Sequence, residues 1–347
     1  MARPSLKIGL LSSPWVAVPP QAFGGTQMIV DQLARGLAAA GQSITVFATG
    51  ENTVPDSTAH GASSATDGLI GESAVELQHV MAGYEALAGC DVVHDHTLLG
   101  PAWALAAGRG EVLTTCRRPL TDELRSVYRR YAAHMPVVAT SHDQIARAPE
   151  IAISRVIHDG VDLDRFPMGG GAGGYLLFLG RLAPANGVRE AVFLSRAVGR
   201  PLVIAAKMRE PAEYAYFDEE VRPLLGDDVM FVGEAVDGAR LDLLAGATAL
   251  LNPIHRPESF GLVMTEALAC GTPVVTCPTS AASEIVEHGV TGFICADRRR
   301  LLDALAQVGD LDRSACRAAV AERFSADCTV AAYLSLYEQM VNRVSER

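Results

Sequence analysis

The chain has 347 residues, more than twice the roughly 150 residues usual for one domain, so we expect two compact domains. Hydrophobic residues make up 49% and charged residues 20%, which is too apolar for a disordered chain. Lysine and arginine number 29 against 40 aspartates and glutamates, and the net charge of −11 is unfavourable for binding nucleic-acid phosphates. Nucleic acid is therefore not an expected partner.

The sequence carries no signal for a membrane span or a disulfide framework. No apolar run reaches the roughly 18 residues that a span requires, and the N-terminus has no signal-peptide pattern. The seven cysteines include no Cys-x-x-Cys spacing, which argues against disulfides or a zinc site. We expect a cytoplasmic protein without membrane association, in which only Lys7 and Lys207 offer an amine.

Short β-branched or apolar runs recur along the chain, separated by stretches long enough for a helix. Six such runs lie in the first half, at residues 8–11, 44–48, 92–93, 112–115, 137–139 and 155–157. Six more lie in the second half, at residues 175–179, 202–205, 229–232, 249–251, 273–276 and 292–294. This alternation predicts an α/β protein with two facing, doubly wound parallel sheets, each Rossmann-like. Because open parallel sheets bind ligands beyond the carboxyl ends of their strands, we expect the site in an interdomain cleft.

Glycine-rich and polar segments suggest the domain boundaries. Residues 169–174 are almost all glycine and predict a flexible linker between domains at 1–168 and 175–325. Residues 52–74, rich in Ser, Thr, Ala and Gly, predict a mobile loop. The last segment, 326–347, has helical spacing of its apolar residues and predicts a helix with one face packed onto a domain.

Gly24 and Gly25 follow the first predicted strand, where a loop turns into a helix predicted over residues 27–40. Glycines at this place let backbone N–H groups approach an anion at the positive end of the helix dipole. A tight turn without a ligand explains them equally well, so the signal is weak by itself.

His94, Asp95 and His96 follow a predicted strand, and Asp162 and Asp164 form an Asp-x-Asp pair. We disfavour a metal site at the first group, because three consecutive side chains cannot converge on one ion. The aspartate pair lies in a turn after a strand and is not expected to hold a metal either.

Cations lie at the ends of the first two predicted strands of the second domain. Arg181 follows the run at 175–179, and Lys207 follows the run at 202–205. Two cations at adjacent strand ends suit a diphosphate, for which the guanidinium offers a bidentate fork. A surface ion pair would explain Arg181 equally well if it stood alone.

The most informative stretch covers residues 257–275 and reads PESFGLVMTEALACGTPVV. It predicts a loop, a short helix over 261–269 and a turn into a strand. Glu258 precedes the helix and Glu266 lies within it, so the two carboxylates are expected to contact different parts of one ligand.

The predicted start of this helix offers three backbone N–H groups, those of Phe260, Gly261 and Leu262. The first N–H groups of a helix have no acceptor inside it. They therefore predict a place where a diphosphate or a sugar hydroxyl is held.

Glu258 and Glu266 together resemble the Glu-x7-Glu signature of family-4 retaining glycosyltransferases, the glycosyl transferases group 1, which have the GT-B fold. Other runs resemble the same family across nearly the whole chain: PPQAFGG near the start, DVVHDH, VIHDGVDLDRF, LLFLGRL, FVGE and EHGVTGF. The resemblance implies that a hexosyl group moves from a nucleotide sugar to an acceptor on the first domain, with retention and without a metal or cofactor. It also implies a C-terminal helix that crosses back to the first domain.

The resemblance also implies a role for each matching residue. Glu258 would contact the donor sugar near the reacting carbon, and Glu266 would hold the ribose hydroxyls. The backbone at the helix start would contact sugar hydroxyls and phosphate, Arg181 the diphosphate, and the glycine loop at Gly24 and Gly25 would face the diphosphate from the first domain. His96 would shape the acceptor side.

Two positions depart from the family pattern. After Arg181 the family carries a lysine that contacts phosphate, and this chain has Asn186 there; Lys207 is the only lysine of the second domain that can replace it. After the predicted strand at 112–115, relatives often carry a histidine that contacts the donor sugar. This chain has Cys116 followed by Arg117 and Arg118, so either arginine can take over that contact or the donor sugar can differ. We place Arg117 on the acceptor side with His96.

We therefore predict a retaining glycosyltransferase that uses a nucleotide sugar and a soluble small-molecule or saccharide acceptor. Two alternatives remain from the sequence: a nucleotide-sugar epimerase, and a nucleotide-sugar-binding protein that has lost turnover. The base, the sugar and the acceptor are not specified by the sequence.

Overall fold

The computed structural model describes residues 5–20, 24–50, 57–62 and 70–345. The chain divides into two compact units, one formed by Met1–Gly160 with Ala326–Arg347 and the other by Val161–Ser325. The first unit is therefore discontinuous in sequence. The boundary lies at residue 160 and not at the glycine-rich stretch.

The strands are short, and most of their residues with described side chains are buried. They are β1 Lys7–Leu11, β2 Ser43–Thr49, β3 Ser57–Ala62, β4 Val92–Asp95, β5 Val112–Cys116, β6 Val137–Ala139, β7 Arg155–Val156, β8 Leu176–Arg181, β9 Leu202–Lys207, β10 Val229–Gly233, β11 Ala249–Asn252, β12 Val274–Thr276 and β13 Gly292–Ile294.

Helices follow most of these strands. They are α1 Gly25–Ala39, α2 Ser73–Ala86, α3 Gly100–Ala106, α4 Asp122–Ala132, α5 His142–Arg147, α6 Val188–Ala197, α7 Pro211–Tyr216, α8 Asp237–Gly246, α9 Leu262–Ala269, α10 Ala282–Ile285, α11 Arg298–Gln307, α12 Arg313–Arg323 and α13 Ala326–Ser345. In the described part of the chain, no helix is both long and apolar enough to cross a membrane.

Each unit contains one parallel sheet. The first sheet has the order β3-β2-β1-β4-β5-β6-β7, and the second has the order β10-β9-β8-β11-β12-β13. Both orders reverse direction beside the first strand of the unit, which is the doubly wound arrangement. The prediction of two parallel, Rossmann-like sheets is confirmed, but the first sheet has seven strands and not six.

The additional strand, β3, lies inside the segment that the sequence predicts to be a loop. It pairs with β2 in parallel from Ser57 opposite Ile44 to Ala62 opposite Thr49. Its sequence, STAHGA, has no β-branched or aromatic run to mark it as a strand. Residues 52–56 and 63–69 of the predicted loop lie outside the described residues, and its last two residues, Ser73 and Ala74, begin α2.

The second sheet is buried on both faces. Leu176 and Phe178 of β8 pack in one cluster with Leu202 and Ile204 of β9, whereas Leu177 packs in the cluster on the other face. Successive side chains of a strand point to opposite faces, so an unbroken apolar run fills both layers. The polar side chains are thereby left to the ends of the strands.

The glycine-rich stretch is packed within the second unit, in contrast to the predicted flexible linker. The N–H of Gly169 donates to the carbonyl of Cys270 at 3.0 Å, and that of Gly173 donates to the carbonyl of Gly246 at 3.0 Å. A Cβ atom on Gly169 would lie 2.1 Å from the carbonyl oxygen of Ala245. Glycine is required at this position for close packing.

The last helix, α13, belongs to the first unit and packs on α1. A Cβ atom on Gly36 of α1 would lie 2.4 Å from Cγ2 of Val330, so the two helices approach closely. Tyr333 and Tyr337 are fully buried in the same apolar cluster as Leu33 and Leu37. The first unit thus takes part of its core from the end of the chain.

Candidate active site

Arg181 and Lys207 lie side by side at the carboxyl edge of the second sheet. The parallel register of β8 and β9 pairs Leu176 with Leu202 and continues to the pair Arg181 and Lys207. The two cations therefore lie at the ends of adjacent strands, as the sequence predicts.

The guanidinium of Arg181 is held by two carboxylates. Its Nε donates to Oε1 of Glu213 at 2.7 Å, and its Nη2 donates to Oε1 of Glu210 at 2.8 Å. Glu213 is buried, and its other oxygen accepts from the backbone N–H groups of Arg209 and Glu210. The charge of Arg181 is thus compensated within the unit, although the side chain is 42% exposed.

Lys207 lies in a less favourable environment for a charge. Burial lowers its pKa to about 8, with the neighbouring positive charge of Arg209 acting in the same direction and Glu234 opposing it. At neutral pH the amine is still mostly protonated, and it loses most of its charge only as the pH rises above its pKa.

The loop after β11 leads into α9 through a strained glycine. Gly261 caps the helix with φ 135°, a backbone conformation that other residues rarely adopt. A Cβ atom there would also lie 2.4 Å from Cε of Met264. The side chain of Phe260 is buried in the core with its ring 5.8 Å from that of Phe324. The backbone of Phe260, Gly261 and Leu262, and not the Phe260 ring, thus remains the predicted ligand contact.

Glu266 is buried in α9 beside Arg240 of α8. Its Oε2 accepts from Nη1 of Arg240 at 2.5 Å, and its Oε1 has no hydrogen-bond partner among the described residues. Burial raises the pKa of Glu266, and the positive charge of Arg240 opposes this shift. A buried carboxylate oxygen without a partner is unusual, and it marks a place where a ligand hydroxyl can donate.

Glu258 precedes the same helix and lies beside Arg256. Its Oε1 is 3.4 Å from Nη2 of Arg256, and its backbone N–H donates to Oγ of Ser280 at 2.5 Å. Burial raises the pKa of Glu258, while Arg256 opposes that shift. The carboxylate is partly exposed and remains accessible to a ligand.

In the first unit, His94, Asp95 and His96 point to different partners. His94 lies 2.7 Å from both Oη of Tyr337 and Oγ1 of Thr115, whereas Asp95 accepts from Oη of Tyr84 at 2.8 Å. The hydrogen bonds of this run are thus spread over Tyr84, Thr115 and Tyr337, although the ring centroids of His94 and His96 lie 3.9 Å apart.

His96 and Arg117, predicted on the acceptor side, are in direct contact. Nε of Arg117 donates to Nδ1 of His96 at 3.2 Å, and Arg117 also forms an ion pair with Asp159. Burial lowers the pKa of His96 well below its usual value, so the ring is neutral and carries its proton on Nε2. That buried N–H has no hydrogen-bond partner among the described residues.

Gly24 and Gly25 lie at the N-terminus of α1, as the sequence predicts. Gly24 is the N-cap residue, and no side chain caps this helix start. Gln21, Ala22 and Phe23 of the same predicted loop lie outside the described residues. Gly24 itself is buried at this helix start.

Arg240 and Arg256 are site residues that were not predicted from the sequence. Arg256 follows the fourth strand of the second sheet, and the rule applied to Arg181 and Lys207, a cation at a strand end, would have found it. Arg240 lies one helix away from Glu266 in sequence, and no local signal pairs the two residues.

Comparisons with known proteins agree with this architecture. Residues 173–310 match the family described as glycosyl transferases group 1. A glycogen synthase of Mycobacterium tuberculosis is 29% identical over 336 residues, which cover 81% of this chain and 80% of that protein. The crystal structure of AviGT4, a glycosyltransferase involved in avilamycin A biosynthesis, has 26% sequence identity and a TM-score of 0.73, covering 97% of this chain and 98% of that one.

A further solved structure supports the fold. Anabaena Alr3699/HepE, crystallised in complex with UDP-glucose, has 19% identity and a TM-score of 0.70, covering 99% of this chain and 100% of that one. The chain is therefore similar to the glycosyl transferases group 1 over residues 173–310 and has the GT-B fold of the solved glycosyltransferase structures.

Proposed function

We propose that the protein is a retaining, metal-independent glycosyltransferase that moves a hexosyl group from a nucleotide sugar to a soluble small molecule or saccharide. The observation that carries this proposal is the buried Oε1 of Glu266, which has no protein partner in the described chain and lies on the helix that begins beside Glu258. A ribose hydroxyl supplies the donor that this oxygen lacks.

The second unit binds the donor in this proposal. Glu266 accepts the ribose hydroxyls, the backbone of Phe260, Gly261 and Leu262 meets the phosphate and the sugar, and Glu258 contacts the donor sugar near its reacting carbon. The helix start favours an anion through its dipole. The UDP-glucose held by Anabaena Alr3699/HepE supports a nucleotide sugar as the donor class.

Cations neutralise the leaving diphosphate. Arg181 and Lys207 are the two that the sequence predicts, and the N-terminus of α1 at Gly24 and Gly25 is a further predicted contact. Fixed positive charges aimed at the leaving group stabilise the transition state without reorganisation. This charge arrangement supports a reaction that needs no metal.

The first unit binds the acceptor. His96 carries a buried N–H at Nε2 that is available to an acceptor oxygen, and Arg117 holds the ring in that tautomer. In the transfer, the bond from the sugar carbon to the phosphate oxygen breaks and a bond to the acceptor hydroxyl forms on the same face. The hydroxyl proton passes to the leaving phosphate oxygen.

Incubation with nucleotide sugars tests the proposal. The protein is incubated with each donor alone and with donor plus a panel of acceptors, in the presence of EDTA, and the products are followed by NMR. A glycoside with the donor's anomeric configuration supports the proposal. An epimerised donor without an acceptor, an inverted glycoside, a loss of activity with EDTA, or binding without turnover would each contradict it.

A further inference from the structure

Arg256 is a third cation at the carboxyl edge of the second sheet. Its Nε donates to Oδ1 of Asn186 at 2.7 Å, and its Nη2 lies 3.4 Å from Oε1 of Glu258. The side chain of Arg256 is 35% exposed. One edge of the guanidinium is thus fixed by protein while the group remains accessible to a ligand.

Asn186 is built to hold this arginine. Its Nδ2 donates to the carbonyl of Arg181 at 3.0 Å, which leaves Oδ1 as the acceptor for Nε of Arg256. Both partners fix the orientation of the amide, because only its nitrogen can donate and only its oxygen can accept. Asn186 is buried, so its side chain has little freedom to turn away.

The backbone brings the two loops together independently of these side chains. The N–H of His255 donates to the carbonyl of Ala185 at 2.9 Å. Gly187, at φ 80°, lies so close to the next loop that a Cβ atom would be 2.1 Å from the carbonyl oxygen of Pro253. The contact between Asn186 and Arg256 is therefore part of a fixed loop-to-loop junction.

Arg256 is better suited to an anion than the two cations that the sequence suggested. Arg181 already lies between the carboxylates of Glu210 and Glu213, at 2.8 Å and 2.7 Å. Lys207 is partly desolvated and lies near other cations. Arg256 faces a single carboxylate at a longer distance.

We infer that Arg256 binds the second phosphate of the nucleoside diphosphate and that Asn186 is its positioning residue. This inference rests on the proposed function. From the sequence, Asn186 marked the loss of a lysine that contacts phosphate. In this inference Arg256 supplies that positive charge from the neighbouring loop, and Asn186 orients its guanidinium. A guanidinium brings a planar fork in place of the point charge of an amine.

Calorimetric titration with nucleotides tests the inference. UDP, GDP, ADP, CDP and dTDP are first titrated into the unmodified protein, and the base that binds most tightly is then used as diphosphate and monophosphate. We expect Arg256→Ala to raise the Kd of the diphosphate at least about tenfold, the usual effect of losing a charged hydrogen bond, and to change that of the monophosphate much less. Arg222→Ala, which removes an exposed arginine ion-paired with Asp218, is the matched control and should leave both unchanged.

Asn186→Ala should also weaken binding of the diphosphate more than binding of the monophosphate, but by a smaller factor than Arg256→Ala. The reason is that Arg256 keeps its charge and loses only its orientation. Adding Asn186→Lys to Arg256→Ala should restore part of the diphosphate affinity, since it returns a cation to the same junction. Arg256→Gln, which can still donate to Asn186, replaces Arg256→Ala if that variant does not fold by circular dichroism.

The outcomes separate the inference from the proposed function. If the unmodified protein binds none of the five diphosphates, both are wrong. If it binds one and folded Arg256→Ala or Arg256→Gln keeps the unmodified ratio of diphosphate to monophosphate affinity, the inference is wrong and the proposed function stands. If the substitution weakens binding of the diphosphate and the monophosphate equally, Arg256 has a structural role and the inference is also wrong.

Discussion

Arg240 and Glu266 form an ion pair inside the second unit, with Nη1 of Arg240 2.5 Å from Oε2 of Glu266 and both side chains nearly inaccessible to solvent. The two residues lie on α8 and α9. The arginine neutralises the carboxylate and occupies only one of its oxygens, because Oε1 has no hydrogen-bond partner among the described residues. The pair therefore keeps a charged acceptor buried and ready for a ligand.

Replacing Glu266 by alanine should weaken nucleoside diphosphate binding. A buried carboxylate that accepts ribose hydroxyls contributes on the order of 1.5 to 3 kcal/mol per hydrogen bond. Titration calorimetry with the tightest-binding diphosphate measures the loss, and Glu266→Gln serves as a variant that retains a polar side chain for folding. Unchanged affinity in folded Glu266→Ala would remove this residue from the ribose site.

Replacing Arg240, the ion-pair partner of Glu266, should lower the free energy of unfolding. Arg240→Met leaves the carboxylate of Glu266 buried without its counter-charge, and breaking such a pair destabilises a protein by about 3 to 5 kcal/mol. Urea unfolding measures the change. The double variant Arg240→Met with Glu266→Gln should recover part of the loss, because no unpaired charge then remains, whereas strictly additive losses would show that the two side chains are not coupled.

The sequence predicts the sheets well because buried parallel strands are continuous apolar runs, as in Leu176 to Leu179. The sequence does not predict β3, because STAHGA has no run of strand-forming residues; this segment is a strand through its pairing with the edge of β2. The linker prediction at residues 169–174 also fails, because a glycine that allows close packing cannot be distinguished in sequence from a glycine in a flexible linker.

The candidate site was predictable where local spacing carries the information. Glu258, Glu266 and Arg181 lie within recognisable motifs, and the structure places Arg181 at the end of β8, Glu258 in the loop before α9 and Glu266 within α9. The contacts of Arg240 and Arg256 depend on residues 26 and 70 positions away, Glu266 and Asn186. Such pairings follow from tertiary packing and leave no local pattern.

Glu258 should be needed for turnover and not for holding the nucleotide. We expect Glu258→Gln to lose most of the glycosyl transfer while its Kd for the nucleoside diphosphate stays close to that of the unmodified protein, because the carboxylate is proposed to contact the donor sugar. Steady-state rates and calorimetry on the same preparation provide the two readings. A variant with the unmodified rate would exclude Glu258 from the site.

The pH dependence of binding distinguishes Lys207 from the arginines. Because the pKa of Lys207 is lowered to about 8, its amine loses its charge as the pH rises above 8. If that charge held the diphosphate, affinity would fall by up to about tenfold per pH unit above this point. Arginines stay protonated throughout, so with Arg181 and Arg256 also at the diphosphate we expect the Kd to rise by less than about tenfold from pH 7 to 9. A steep fall above pH 8 would show instead that Lys207 is the cation in contact with phosphate.

The N–H of Val161 donates to the carbonyl of Phe324 at 2.9 Å, so the two ends of the second unit lie next to each other. In its construction the second unit is thus an insertion within the first. During synthesis, the ribosome releases the whole of Val161–Ser325 before α13, which carries Tyr333 and Tyr337 of the first unit's core. The first unit therefore cannot complete its core until α13 has emerged, although most of this unit is synthesised first. The second unit, which is synthesised later, can finish folding before it.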